Sequence, residues 1–529
     1  MKTQIHILDT TLRDGQQSPG AGMTYADNLH YAQLAHNLRI DILEAGFPSA
    51  SSTDFNIVNQ ISKDMAHIKS NMKISGLSQL REDQVLKTME ALQPSLTINR
   101  ARIHIYVPVD PELMPASLGK LADDKPLIIE TVHKLIKIAT DAGFEVEFSP
   151  EGYSRMRDNF DFTTEVIRAA VSAGASVINC PDTIGGASRY EGENYFVNKI
   201  KCHAEIIRKE FPKHNIIWSS HCHNDFGTAL DNTLTAVFEG AVQQVEGCIN
   251  GVGERAGNVS LEQCIMNIRQ FGNLEHLEHK VYTNADISHL KEISDFIAKK
   301  MLPRQPHSPI TGNNAASHTS GGHINAILKN PLAYQPFNPK DIGSEITFVF
   351  GPLSGSNHAQ QIINKYGYIC DDSEKVAVTQ SIKDYYSDRR KGITDDELLN
   401  AYKIYRSPIK LNNLTYSKDS DSNTTLTIFG KFFDKDQISV KYHGKGSALT
   451  AINNVITEYF PGITVEDYNS HAEGHSIDAL CSSSIVVSIN GNYRYNGDAT
   501  DEDIEISAIK AFINAVNNAY VESKFHTKQ

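Results

Sequence analysis

The stretch QIHILDTTLRDG (Gln4–Gly15) decides the fold: a short apolar run, QIHILD, passes directly into the polar turn Asp9-Thr10-Thr11-Leu12-Arg13-Asp14-Gly15. An open, doubly wound sheet more often places a glycine-rich phosphate turn, G-x-G-x-x-G, after its first strand. None stands here, so a dinucleotide-binding reading is poor.

Outward from this stretch, strand-like runs begin near Gln4, Ile40 (IDILEA), Met72 (MKISGL), Arg102 (RIHIYV), Phe144 (FEVEFS), Ser176 (SVINC), Asn215 (NIIWS) and Gln243 (QQVEGC). Each is followed by a segment with helical spacing and then a polar or Gly-containing turn, the alternation of βα units. Eight units in about 250 residues predict an α/β chain built on a closed (β/α)8 TIM barrel, with parallel strands inside and helices outside.

From about Thr283 to Tyr402 the alternation fades into helical stretches broken by Pro303, Pro306, Pro309, Gly312 and the Gly321-Gly322 pair. Near Thr415 the chain turns polar (TYSKDSDSN). Beyond it, runs such as LTIFGKFF and SIVVSI alternate with helical segments at Ala448–Tyr459 and Asp503–Tyr520, as in a small α+β domain. The expected organisation is a (β/α)8 barrel over 1–275, helical linker subdomains over 276–405, and a separate α+β domain over 406–529.

Composition agrees with several domains. A chain of 529 residues exceeds the ~250 to 300 at which single cores stop growing. Hydrophobic residues at 40% and charged residues at 21% fit a soluble globular protein. A net charge of −13, with no long Lys/Arg run, argues against nucleic acid as a partner. The seven cysteines are scattered, odd in number and without a CxxC pair, which suits reduced thiols. Polar residues from Asp9 to Asp14 interrupt the only apolar stretch after Lys2, and no membrane-spanning run follows, so a cytoplasmic protein with no membrane partner is expected.

In such a barrel the reacting groups lie where strands end and βα loops begin. Those positions are rich in polar residues here: Arg13 and Asp14 after strand 1, His104 on strand 4, Ser149 and Glu151 after strand 5, and Asn179, Asp182 and Thr183 after strand 6. Strand 7 ends in His221-Cys222-His223-Asn224-Asp225, and strand 8 leads to Gly253-Glu254-Arg255-Ala256-Gly257-Asn258. Residues i and i+2 of a strand share a face, so His221 and His223 can bind one ion while Cys222 faces away. With Asp14 and the amide oxygen of Asn258 they form a mixed N/O set suited to a divalent ion, leaving zinc, manganese, magnesium and cobalt open.

Each of these residues also has a plainer reading. An HxH pair is often only a satisfied polar feature of a loop; the matching loop positions of Asp14 and Asn258 favour the metal. Arg13 as a surface ion-pair residue competes with Arg13 facing an anionic substrate or enolate. Glu151 is either a solvated carboxylate or a base for a thioester methyl proton. His104 shares the inner face of strand 4 with Arg102 and Tyr106.

Taken together, DTTLRDGQQSPG (Asp9–Gly20), HCHNDFGTA (His221–Ala229) and NGVGERAGN (Asn250–Asn258) resemble the isopropylmalate, homocitrate and citramalate synthase family of acyltransferases. The wider superfamily includes hydroxymethylglutaryl-CoA lyase. HTSGGHINAILKNPLAY (His318–Tyr334) is similar to the segment these synthases carry after the barrel, and the likeness runs to about Tyr368. YNGDATDEDIEISAIKAFINAVN (Tyr495–Asn517) resembles their leucine-binding regulatory domain.

The resemblance implies a metal held by Asp14, His221, His223 and Asn258, with Arg13, His104, Ser149 and Thr183 contacting the 2-oxo acid or its oxyanion. It makes Arg13, Glu151, His323 and Tyr334 the catalytic set, acetyl-CoA the co-substrate, leucine the feedback inhibitor and the assembly a homodimer. The implied reaction joins acetyl-CoA to 3-methyl-2-oxobutanoate and releases CoA. Pyruvate or 2-oxoglutarate as acceptor, a non-catalytic leucine sensor and the lyase direction are the alternatives. The sequence departs from the pattern at Gly322-His323-Ile324-Asn325, where many relatives show Ile-His-Gln-Asp, and at Ser354-Gly355-Ser356-Asn357, where Ser-Gly-Arg is common.

Overall fold

Eight parallel strands close into a barrel in the computed structural model, which describes residues 2–389, 391–473 and 480–527. In chain order they are β1 (His6–Asp9), β2 (Ile42–Glu44), β3 (Lys73–Gln79), β4 (Ala101–Pro108), β5 (Glu145–Glu151), β6 (Val177–Asp182), β7 (Ile217–Cys222) and β8 (Gln244–Gly247). The register His6↔Gln244 through Asp9↔Gly247 closes the ring, so β1 lies between β2 and β8.

The period of two along the strands sorts the side chains. On β4, Ile103, Ile105 and Val107 join the apolar core. Arg102 faces the lumen, where its Nη1 donates to Glu147 on β5 (2.9 Å) and to Gln244 on β8 (2.7 Å). Gln244 in turn donates to the second oxygen of Glu147 (2.7 Å) and to the Ser219 hydroxyl (3.1 Å). Barrel interiors are dominated by bulky branched residues; this one carries a buried polar layer instead, with Arg102 tied to two other strands, β5 and β8.

Helices cover the outside because their apolar residues recur every three or four positions. Lys125–Asp141 turns Ile128, Val132, Leu135, Ile136 and Ala139 to the core, and the Asp124 side chain caps its start by accepting from the Leu127 N–H. Tyr25–Asn37 begins at a reciprocal capping box between Thr24 and Asp27.

The chain divides into two units, Met1–Ala316 with Phe337–Ile346, and Ser317–Pro336 with Thr347–Gln529. The second contains the helices Gly321–Lys329, Ser356–Lys365, Lys375–Tyr385 and Asp395–Arg406. It also contains two antiparallel three-stranded sheets, β9 (Ile409–Lys418), β10 (Asn423–Phe432), β11 (Lys435–Lys445) and β12 (Ile463–Glu473), β13 (Leu480–Ile489), β14 (Asn492–Asp501). Ile428 and Phe432 of β10, Ile452 and Ile456 of helix Ala448–Tyr459, Ile485 and Val487 of β13, and Phe512 and Val516 of helix Ile504–Phe525 share one core. No described helix is long and apolar enough to cross a membrane.

Some local expectations shift. Ser149 and Glu151 lie on β5 rather than after it, since Pro150 is accommodated next to the last rung of the ladder, paired with Val107. The Gly321-Gly322 pair, read as a helix break, starts a helix. A Cβ at Gly321 would lie 2.8 Å from the Gly355 nitrogen, so close backbone approach is what the glycine serves. The last helix runs past Tyr520 to Phe525.

Candidate active site

The turn after β1 is held from below. The buried Asp9 carboxylate accepts from the Thr11 N–H (2.9 Å), the Thr11 hydroxyl (2.5 Å) and the Tyr31 hydroxyl (2.6 Å), and the Asp14 N–H donates to the Thr10 carbonyl (2.8 Å). Arg13 and Asp14 are thereby presented at the barrel mouth. Arg13 Nε donates to Glu44 (2.6 Å) and its Nη1 to Asp14 (2.5 Å). Burial opposes the guanidinium charge, but Glu44 and Asp14 outweigh it and keep Arg13 cationic.

Glu44, at the end of β2, is fully buried and engaged three times. It accepts from Arg13, from Thr10 (2.6 Å) and from His104 Nδ1 (2.7 Å), and Arg13 and His104 hold its carboxyl well below the usual range against the pull of burial. His104 Nε2 meets the Ser149 hydroxyl at 2.6 Å. Burial disfavours an imidazolium, yet Glu44, with Glu246 and Glu147 behind it, lifts His104 to about 9. At neutral pH the row Asp14, Arg13, Glu44, His104 therefore alternates in charge.

His221, at the end of β7, and His223, just beyond it, point the same way, with their Nε2 atoms 3.3 Å apart and 3.9 and 4.0 Å from Asp14 Oδ2. Burial pushes both imidazoles down to about 4, so they are neutral, while Arg13 and the two histidines overcome burial to hold Asp14 at about 2. Two imidazole nitrogens and a carboxylate oxygen thus converge in a buried position, a donor set that fits a divalent ion. Asn258 donates its Nδ2 to Asp14 Oδ1 (2.7 Å), and its Oδ1 is buried without a hydrogen-bond partner among the described residues. It reaches Asp14 because the loop after β8 folds back at Gly257, whose φ is +84° and where a Cβ would stand 2.0 Å from the Gly251 carbonyl oxygen.

Opposite this cluster stands Glu151. Burial raises its carboxyl above the ordinary glutamate value, more than Arg13 lowers it, and Asp110 and Glu254 add to the rise. The Thr183 hydroxyl accepts from the Gly152 N–H (2.9 Å) and so ties the end of β5 to the loop after β6. Arg13, Asp14, His104, Ser149, Glu151, Thr183, His221 and His223 all line one cavity of about 190 Å³. That is smaller than the ~300 Å³ at which drug-sized sites begin, and it suits a small acid. His323 and Tyr334 belong to the second unit, where their rings stack with centroids 4.0 Å apart.

Residues 4–297 match the HMGL-like family, 310–391 the homocitrate synthase post-HMGL domain-like family and 393–520 the LeuA allosteric (dimerisation) domain. The chain is 30% identical to 2-isopropylmalate synthase of Chromobacterium violaceum, over 100% of this chain and 99% of that one. It is 32% identical to that of Oceanobacillus iheyensis, over 99% and 98%. The chain belongs to the 2-isopropylmalate synthase family. A third member, 2-isopropylmalate synthase 2 of Arabidopsis thaliana, is 30% identical over 97% of this chain and 83% of its own.

Within this 2-isopropylmalate synthase framework, sequence reasoning missed Glu44, Glu147 and Glu246. Burial, then Glu246, pushes Glu147 up to about 8, and burial raises Glu246 as well. The signal for all three was parity: Ile42 and Glu44, Glu145 and Glu147, and Gln244 and Glu246 share strand faces, and a carboxylate inside such a strand must point into the lumen.

Proposed function

We propose that the chain condenses acetyl-CoA with 3-methyl-2-oxobutanoate, releasing CoA and forming 2-isopropylmalate, the first committed intermediate of leucine biosynthesis. The observation that carries this reading is the single small cavity lined by the Asp14, His221 and His223 donors, the Arg13–Glu44–His104 row and Glu151. A divalent ion held by Asp14, His221 and His223, with Asn258 beside them, would polarise the carbonyl of the 2-oxo acid as a Lewis acid.

The chain's own residues supply the rest. Arg13 is cationic, positioned by Glu44, and faces the anionic acid and the oxyanion that forms at its C2. Protonated His104 directs its Nδ1–H to Glu44 and its Nε2–H to Ser149, which leaves the Ser149 hydroxyl hydrogen as a second donor. Glu151, raised by burial, is suited to take a proton from the acetyl methyl group. The methyl carbon then bonds to C2 of the 2-oxo acid, and later hydrolysis of the thioester frees CoA. The assisting roles of His323 and Tyr334 rest on the family resemblance alone. The match to the LeuA allosteric (dimerisation) domain supports leucine as inhibitor and a homodimer; a cytoplasmic location belongs to the same reading.

The test is CoA release by the metal-loaded protein with acetyl-CoA and 3-methyl-2-oxobutanoate, pyruvate or 2-oxoglutarate, comparing kcat/KM and product mass. Preference for the first is expected. Preference for another would reassign the substrate, and no release with any would refute the synthase reading.

A further inference from the structure

The outer nitrogen of His221 stands beside a buried carboxylate. Its Nδ1 is fully buried, and Glu246 Oε2 on the adjacent β8 lies 3.2 Å away, within hydrogen-bond reach though not aligned as a bond in this structure. Both Glu246 oxygens are buried without an aligned hydrogen bond from any described residue, and the Glu147 carboxyl approaches them from below. His223 differs in its surroundings: its Nδ1 is equally buried, but its one recorded carboxylate neighbour, Asp14, faces its Nε2 instead. Glu246 is itself placed by the polar layer beneath, where Glu147 is fixed by Arg102 and Gln244.

An imidazole that donates one N–H to a carboxylate must present the lone pair of its other nitrogen, and the ring is then fixed in tautomer and direction. We propose that Glu246 is a positioning residue for the metal centre, accepting from His221 Nδ1–H so that His221 Nε2 is held toward Asp14 and His223. His221 is thus the oriented anchor of the donor set, and His223 the ligand whose ring is set by the ion alone. Charge is secondary to the acceptor: a glutamine retains one oxygen that can serve His221, and an alanine retains none.

This inference rests on the reading of Asp14, His221 and His223 as metal ligands, and the experiment separates the two. Manganese and cobalt affinities of the full-length protein are measured by competition with a chromophoric chelator. The visible spectrum of the cobalt form is recorded alongside, and the thermal transition of the metal-free protein monitors folding. Glu246→Ala should bind both ions 10- to 100-fold more weakly and shift the cobalt bands. Glu246→Gln should recover a large part of the affinity. Glu147→Gln alters the same buried layer without touching His221 and should bind within about threefold of the parent. Wild-type affinity and an unchanged cobalt spectrum in Glu246→Ala would overturn the proposal and leave the metal site standing. Equal weakening in Glu246→Ala and Glu147→Gln would also overturn it, since a general effect on the layer would then explain the loss. Failure of the wild-type protein to bind either ion would overturn both readings.

Discussion

Replacing Glu44 by glutamine keeps the side-chain volume and removes one charge from the centre of the barrel mouth. Oε2 of Glu44 accepts from Arg13 and Thr10 and Oε1 faces His104, at 2.6, 2.6 and 2.7 Å. An amide offers one oxygen and one NH2 group in their place, so at least one of these donors meets another donor in a fully buried position. Breaking a buried ion pair from one side costs about 3–5 kcal/mol, and the charge of Arg13 is then balanced by Asp14, with a smaller contribution from Glu246. For a barrel unit of this size that corresponds to a fall in Tm of roughly 10 °C. His104 should titrate differently as well: with the Glu44 charge gone, burial is opposed only by Glu246 and Glu147, and its pKa should drop from about 9 toward the ordinary 6.5 or below. The assays are thermal and urea unfolding of the wild type and Glu44→Gln, and NMR titration of the His104 ring. Loss of Arg13 orientation should also lower kcat/KM by about 100-fold or more. An unfolding midpoint within 1 °C of wild type (a threshold set by about the precision of such measurements) together with a His104 ring still titrating near 9 would refute the argument that Glu44 holds this row together.

The same groups set two pH dependences. Glu151 acts as a base only when ionised and its carboxyl is raised above the ordinary 4.5, so the acid limb of kcat/KM should lie above that value and vanish in Glu151→Gln, whose residual rate should be low and flat. His104 is raised from 6.5 to about 9, so the stability it contributes is present below 6.5 and lost as pH rises through 9; Glu147, raised to about 8, loses stability in the same direction. Tm should therefore decline from pH 6.5 to 9, and a flat profile over that window would contradict both assignments. Removal of residues 393–529 should abolish any effect of leucine on turnover while the truncated protein keeps its metal, as measured by CoA release and metal content; inhibition that survives the truncation would contradict a leucine site in that region.

What could be read from the sequence and what could not differ in physical kind. Strand runs such as RIHIYV and NIIWS announce themselves by local composition, and the period of two places His104 inside and pairs His221 with His223, because strand parity is a property of neighbouring residues. The helix over Ala448–Tyr459 was legible for the same reason, its apolar positions recurring with helical spacing. Closure of the ring is different. It sets β1 between β2 and β8 and so brings Glu44 and Glu246, about two hundred residues apart in the chain, to the two sides of the Arg13–Asp14 turn. Nothing local in IDILEA or QQVEGC distinguishes those carboxylates from solvated ones. Residue types and strand parity thus determined from the sequence which groups could do the chemistry. Only the tertiary structure decided their charge states, because burial and the long-range neighbours Glu44, Arg13 and Glu246 move His104 up, His221 down and Glu151 up, and each of those shifts depends on distance through space rather than along the chain.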